Sequence, residues 1–117
     1  MIKNKTGVWG EIFAARYLRD NGYKILASNY VCRFGELDLV ACKNDLTCIV
    51  EVKTRNENTR IRHMEAVDEG KRQRLEMAAK SFLSTFEIKS ETRFDVCEVY
   101  LDDNSRLSGI NYIKNAF

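Results

Sequence analysis

Apolar residues recur with two different periods along this chain, and the period changes where polar punctuation falls. From Gly7 to Asn21 the spacing is helical: at about 100° per residue, Phe13, Ala14, Ala15, Tyr17 and Leu18 occupy one connected arc. Gly22 follows where a left-handed residue commonly closes a helix. Glu11 lies inside the same arc, next in angle to Leu18 and Ala15, so this carboxylate turns toward the body of the protein. Its burial requires a partner, although an acid in the first turn also suits the positive end of the helix dipole. Three strand-like runs follow, Lys24 to Val31, Glu36 to Cys42 and Leu46 to Thr54, punctuated by Gly35 and by Lys43-Asn44-Asp45. Arg55 to about Val67 is charged and aperiodic and reads as a long loop. A second helix is expected from about Asp68 to Thr85, with Leu75, Ala78, Ala79, Phe82, Leu83 and Phe86 as its apolar stripe. The runs Arg93 to Leu101 and Leu107 to Lys114, joined through Asp102-Asp103-Asn104-Ser105, predict a second hairpin. The order is α, three β, α, two β, an α/β domain in which helices cover a sheet.

A length of 117 residues allows one domain, 1–117, and 44% hydrophobic with 31% charged residues is an ordinary globular composition. Nineteen Lys and Arg against seventeen Asp and Glu leave a net charge of +2, so total charge does not announce a nucleic-acid binder. Its distribution is more informative: Lys53 to Arg74 holds seven bases against four acids, while the remainder is slightly negative. No secretory signal precedes Cys32, Cys42, Cys48 and Cys97, and none forms a CxxC pair. Reduced cysteines serving as small core residues, in a cytoplasmic protein, are the expectation, rather than a zinc site. No apolar run approaches a membrane span.

The chemistry concentrates in Gly35-Glu36-Leu37-Asp38-Leu39-Val40-Ala41 and Val50-Glu51-Val52-Lys53-Thr54-Arg55. Alternation puts Glu36, Asp38 and Val40 on one face of their strand and Glu51 and Lys53 on one face of the next. A hairpin turning at Asn44-Asp45 pairs Asp38 with Glu51, Glu36 with Lys53 and Val40 with Ile49. Two acids side by side need a cation. Oxygen ligation by Asp38, Glu51 and the Val52 carbonyl suits Mg²⁺ or Mn²⁺, and Lys53 is placed to contact a phosphate or handle the proton of an attacking water. The alternative is structural: Lys53 forms salt bridges to both acids.

Asp38, twelve intervening residues and Glu51-Val52-Lys53 resemble the D…ExK core of the restriction-endonuclease-like, or PD-(D/E)xK, nucleases. Helix-borne Glu11 is similar to the extra acid of archaeal Holliday-junction resolvases in that superfamily. Nearly the whole chain resembles the YraN family of bacterial proteins: the opening Gly-x-x-Gly-Glu helix, Gly-Glu-Leu-Asp-Leu-Val, Val-Glu-Val-Lys-Thr-Arg, Lys71-Arg72-Gln73-Arg74-Leu75, Arg93-Phe94-Asp95-Val96 and Asn115-Ala116-Phe117. The resemblance implies a restriction-endonuclease-like sandwich with a mixed central sheet, a metal site at Asp38, Glu51 and Lys53, and Glu11 as accessory acid. Two departures bear on substrate preference: Leu37 stands where the superfamily places a proline, and Arg55 where some branches carry Gln.

For binding, Lys71, Arg72 and Arg74 cluster in the first turns of the second helix, and Lys71, one turn before Leu75, leans toward the sheet. With Arg55, Arg60 and Arg62 they form the expected nucleic-acid contacts; nothing in them reads bases. Trp9 and Tyr17 are expected in the core, His63 is an ordinary loop residue, and Asp95 pairs with Arg93 or another arginine without a catalytic role. The leading function is a metal-dependent endonuclease acting on DNA, branched or structured forms included. The alternative from another class is a nucleic-acid-binding protein that keeps the fold without useful turnover, and a third is an assembly module. A homodimer is the simplest arrangement for cutting two strands.

Overall fold

Helix α1 (Lys5–Asp20) stops where the sequence predicts. Gly22 takes φ 86°, its amide donates to the Arg19 carbonyl at 3.0 Å, and the Tyr23 amide donates to the Leu18 carbonyl at 2.9 Å. Together these bonds satisfy two carbonyls that the helix end leaves without partners. The structure, a computed structural model, describes residues 5–58 and 69–117. The expected contacts Arg60 and Arg62, together with His63, Asp68 and most of the predicted loop, lie outside the described residues.

Strands β1 (Lys24–Cys32), β2 (Gly35–Lys43) and β3 (Leu46–Asn56) precede α2 (Glu69–Thr85), which β4 (Glu91–Leu101) and β5 (Leu107–Ile113) follow. They form one five-stranded sheet in the order β1-β2-β3-β4-β5. Pairing is antiparallel except between β3 and β4, whose parallel ladder runs from Leu46↔Glu91 to Asn56↔Leu101. Parallel neighbours require a crossover connection, and α2 lies within it. The sheet is therefore mixed, in the expected order αβββαββ. Among the described residues no helix is long and apolar enough to cross a membrane.

The two helices cover opposite faces. Under α1, Ala14 and Leu18 pack on Leu39, Ala41, Cys48 and Val50. Gly10 lets that helix approach β3 closely, because a β-carbon there would overlap Thr54 Oγ1. Under α2, Leu75, Ala78, Ala79 and Phe82 pack on Leu37, Val40 and Ile49. Burial pushes the thiol of Cys97 up to about 12; burial and the nearby Asp95 carboxylate raise that of Cys48 to about 11. Both are protonated core residues, as expected, while Cys32 and Cys42 are half-buried free thiols.

Asp95 is fully buried and fully satisfied. Arg93 donates to it through Nε at 2.8 Å and Nη2 at 2.9 Å, the Tyr112 hydroxyl donates at 2.6 Å and the Asn115 amide at 3.1 Å. This ties β5 and the chain end to the α1 face of the sheet, a structural role that agrees with the sequence reading.

Two core expectations fail. Trp9 is 42% exposed; it stacks on Phe13 but faces outward beside exposed Val8 and Ile12. A helix lying on a sheet buries one arc, and Trp9 falls outside the arc that Ala14 and Leu18 define. Tyr17 is half-buried and stacks on Tyr112. Phe86 is 56% exposed, because α2 ends at Thr85 and the stripe does not continue beyond it.

At that end Glu87 takes φ 53°, with the Glu87 amide donating to Ser84 and the Ile88 amide to Leu83. A non-glycine residue is strained there by about 1 kcal/mol. Glu87→Gly should raise stability by about 0.5–1 kcal/mol, read as a higher urea midpoint at unchanged slope. Asp95→Ala should cost about 3–5 kcal/mol in the same assay, since it leaves the Arg93 guanidinium and the Tyr112 hydroxyl without their acceptor.

Candidate functional site

The β2–β3 hairpin turns at Asn44-Asp45, where Asn44 takes φ 55°, and its register is the predicted one: Lys43↔Leu46 through Val40↔Ile49 to Leu39↔Val50. There the ladder stops, one pair short of Asp38 and Glu51. A continued ladder would give the Val52 amide to Leu37; instead it donates to Asp38 Oδ2 at 2.9 Å. The Asp38 carboxylate thus fills the fork where the two strands part. The expected backbone pairing of Glu36 with Lys53 lies past that fork and does not form part of the ladder. Strict alternation fails as well, since Leu37 and Val40 both pack under α2. Asn29, opposite Asp38 between the pairs Ser28↔Leu39 and Tyr30↔Leu37, has φ 54°, and the register of β1 against β2 shifts between Ile25 and Ala27.

Asp38 and Glu51 meet through their side chains. Glu51 shares the α2 face with Ile49, is 7% exposed and is joined by a hydrogen bond to Asp38. Burial, that hydrogen bond and the negative charge of Asp38 push the Glu51 carboxyl up to about 8, against the pull of Lys71 and then Lys53. One acid of the pair therefore holds a proton at neutral pH when no cation is bound.

Four of the sequence-predicted residues converge on this point: Asp38, Glu51, Lys53 and Lys71. Lys71 and Arg74 line a cleft of about 200 Å³ with Glu51, backed by Phe34, Leu75 and Ala78. Glu36 lines that cleft and also a larger groove on the α1 side, where Glu11 stands with Ile12 and Val31. Glu11 is half-buried, as its place on the helical arc predicts. Arg55 bonds Glu98 through Nε at 3.0 Å, with both side chains largely covered. Arg72 lies on the exposed side of α2, 3.6 Å from Glu76. Phe34 and Glu36 escaped the sequence reading as cleft residues; the signal was their place beside Gly35, which at φ 138° opens the turn into β2.

The donor set fits a hard divalent ion. A residue's N–H and C=O leave a strand on the same side, so the Val52 carbonyl points with its amide toward Asp38. Two carboxylates and one carbonyl suit Mg²⁺ or Mn²⁺ completed by water and phosphate oxygen. Among the described residues no group of three or more His, Cys, Asp or Glu side chains gathers to hold a metal ion, so the donor set is the two carboxylates and the carbonyl alone.

The fold is an α/β sandwich with a mixed five-stranded sheet and two helices, consistent with the restriction-endonuclease-like architecture that the sequence resemblance implies. Residues 10–99 match the Uncharacterised protein family UPF0102, the YraN family of the sequence resemblance, and the chain belongs to it. A UPF0102 protein of Syntrophomonas wolfei is 44% identical over 117 residues, covering 99% of this chain and 100% of its own. Another, of Moorella thermoacetica, is 40% identical over 118 residues, covering 100% and 98%. A third, of Clostridium perfringens, is 36% identical over 112 residues, covering 95% and 92%.

The acid pair predicts a pH-dependent stability. Folded Glu51 keeps its proton up to about 8, whereas an ordinary glutamate releases it near 4.5. The stabilisation is complete below the lower value and is lost as pH rises through the higher one. Glu51→Gln stays neutral throughout. Without metal, its unfolding free energy should match wild type within about 1 kcal/mol near pH 5 and exceed it by about 2 kcal/mol near pH 8.5, measured by urea titration.

Proposed function

We propose that this protein is a metal-dependent endonuclease that hydrolyses phosphodiester bonds of DNA, branched or structured forms included. One observation carries the reading: two carboxylates from neighbouring strands meet in a mostly buried fork with two lysines acting on them. A pair of hydrogen-bonded acids is a poor way to stabilise a sheet, because like charges facing each other oppose pairing and burial penalises both. Once bound, Mg²⁺ would lower the pKa of its water and neutralise charge gathering on the phosphate.

The chain's own residues supply the remainder. Asp38 is oriented by the Val52 amide, so its second oxygen is presented to the cation. Glu51 enters as the ionised ligand once its proton leaves. Lys53, on the face of Glu51, holds a non-bridging oxygen or, as an ammonium, orients the attacking water. Glu11 serves as accessory acid from the adjoining groove. DNA is the proposed partner, in the cytoplasm.

Two measurements test this. Calorimetry with Mn²⁺ should show binding that weakens at least tenfold in Asp38→Ala; equal affinity would remove the metal site. Wild type should cut at least one of duplex, single-stranded and four-way-junction DNA with Mg²⁺, with none cut in EDTA, and Glu51→Gln should be slower by about 100-fold or more. Metal binding without cleavage of any substrate, together with Lys53→Ala leaving DNA affinity unchanged, would favour the binding protein without turnover.

A further inference from the structure

We infer that Lys71 and Arg74 form a phosphate-binding wall of the acid-pair cleft, gripping the backbone of a nucleic-acid strand beside Asp38 and Glu51 while Arg72 stays outside the interface. This rests on the nuclease reading for the class of ligand, but it assigns specific cations to that ligand.

The placement follows from helix geometry. Residues 71, 74, 75 and 78 share one side of α2, at spacings of three and four. Leu75 and Ala78 are buried against the sheet, which fixes the rotation of the helix and brings Lys71 and Arg74 to the cleft that Glu51 lines. Arg72 is turned away toward Glu76. Three cations that are close neighbours in sequence are thereby divided, two facing the cleft and one facing solvent.

The cleft also sets what can enter. The side chains of Phe34, Leu75 and Ala78 offer an incoming anion no hydrogen bonds and those of Glu36 and Glu51 repel it, so the side chains left to hold an anionic group are Lys71 and Arg74. Lys71 and Glu51 line the same small cleft. An ammonium beside the acid pair is placed to hold the phosphate that the acids and their cation would attack. Arg74, one turn further along the helix, reaches the adjoining phosphate, where a planar guanidinium bonds two oxygens at once. Arg55 is engaged with Glu98 and Arg93 with Asp95, so beyond Lys53 the phosphate contacts come from α2.

The test is fluorescence anisotropy of labelled single-stranded and four-way-junction oligonucleotides in EDTA, across a salt series, which needs no turnover. Lys71→Gln and Arg74→Gln should each weaken binding about three- to tenfold and lower the salt slope by about 0.7–0.9. Arg72→Gln should leave both unchanged, and Lys71→Arg should retain the slope. Arg74 is exposed, so its variant keeps the test open if Lys71→Gln destabilises the fold. Slopes unchanged in both variants, an equal loss in Arg72→Gln, or a wild type that binds neither oligonucleotide would overturn the inference. A wild type that binds with these slopes and never cleaves would retire the nuclease reading and leave the phosphate wall standing.

Discussion

The fork between β2 and β3 is held by a side chain doing the work of a backbone. Asp38 takes the Val52 amide that the next ladder pair would have used, and the strands separate there. That exchange leaves Glu51 mostly buried beside a second carboxylate, the costly contact of the molecule. The surroundings are arranged about it: Lys53 follows on the same strand face, and α2 sets Lys71 against it from above.

The sheet carries two buried acids and treats them in opposite ways. Asp95, on the α1 face, receives donors from Arg93, Tyr112 and Asn115, which account for both of its oxygens. It is a finished structural anchor, and the protonated thiol of Cys48 lies beside it. Glu51, on the α2 face, has another acid as its neighbour and keeps its proton up to about 8. A carboxylate with all its acceptor positions filled by protein donors has little to offer a ligand. One that shares a proton with another carboxylate gains on meeting a cation, and this difference in partners is what directs the functional proposal to one face of the sheet.

Most of the fold was legible because its signals are local. Gly22 closed α1, Asn44-Asp45 set the hairpin register, and the period changes separated strands from helices in the order observed. The candidate acids were legible because charged residues interrupt otherwise apolar strands. Trp9 and Phe86 were misplaced for one reason: helical spacing identifies an arc, but how much of the arc is covered depends on where the helix meets the sheet and where it stops.

Amino-acid order alone determined the element sequence, the hairpin register, and the presence of Asp38, Glu51 and Lys53 within two neighbouring strands, since each depends on residues a few positions apart. Tertiary structure decided that the ladder breaks at Asp38, that Lys71 and Arg74 face the cleft while Arg72 does not, and that Arg55 is committed to Glu98. Those outcomes depend on the rotation of α2 about its axis and on the parallel register of β3 with β4, set by packing between segments some forty residues apart. No local pattern encodes either quantity.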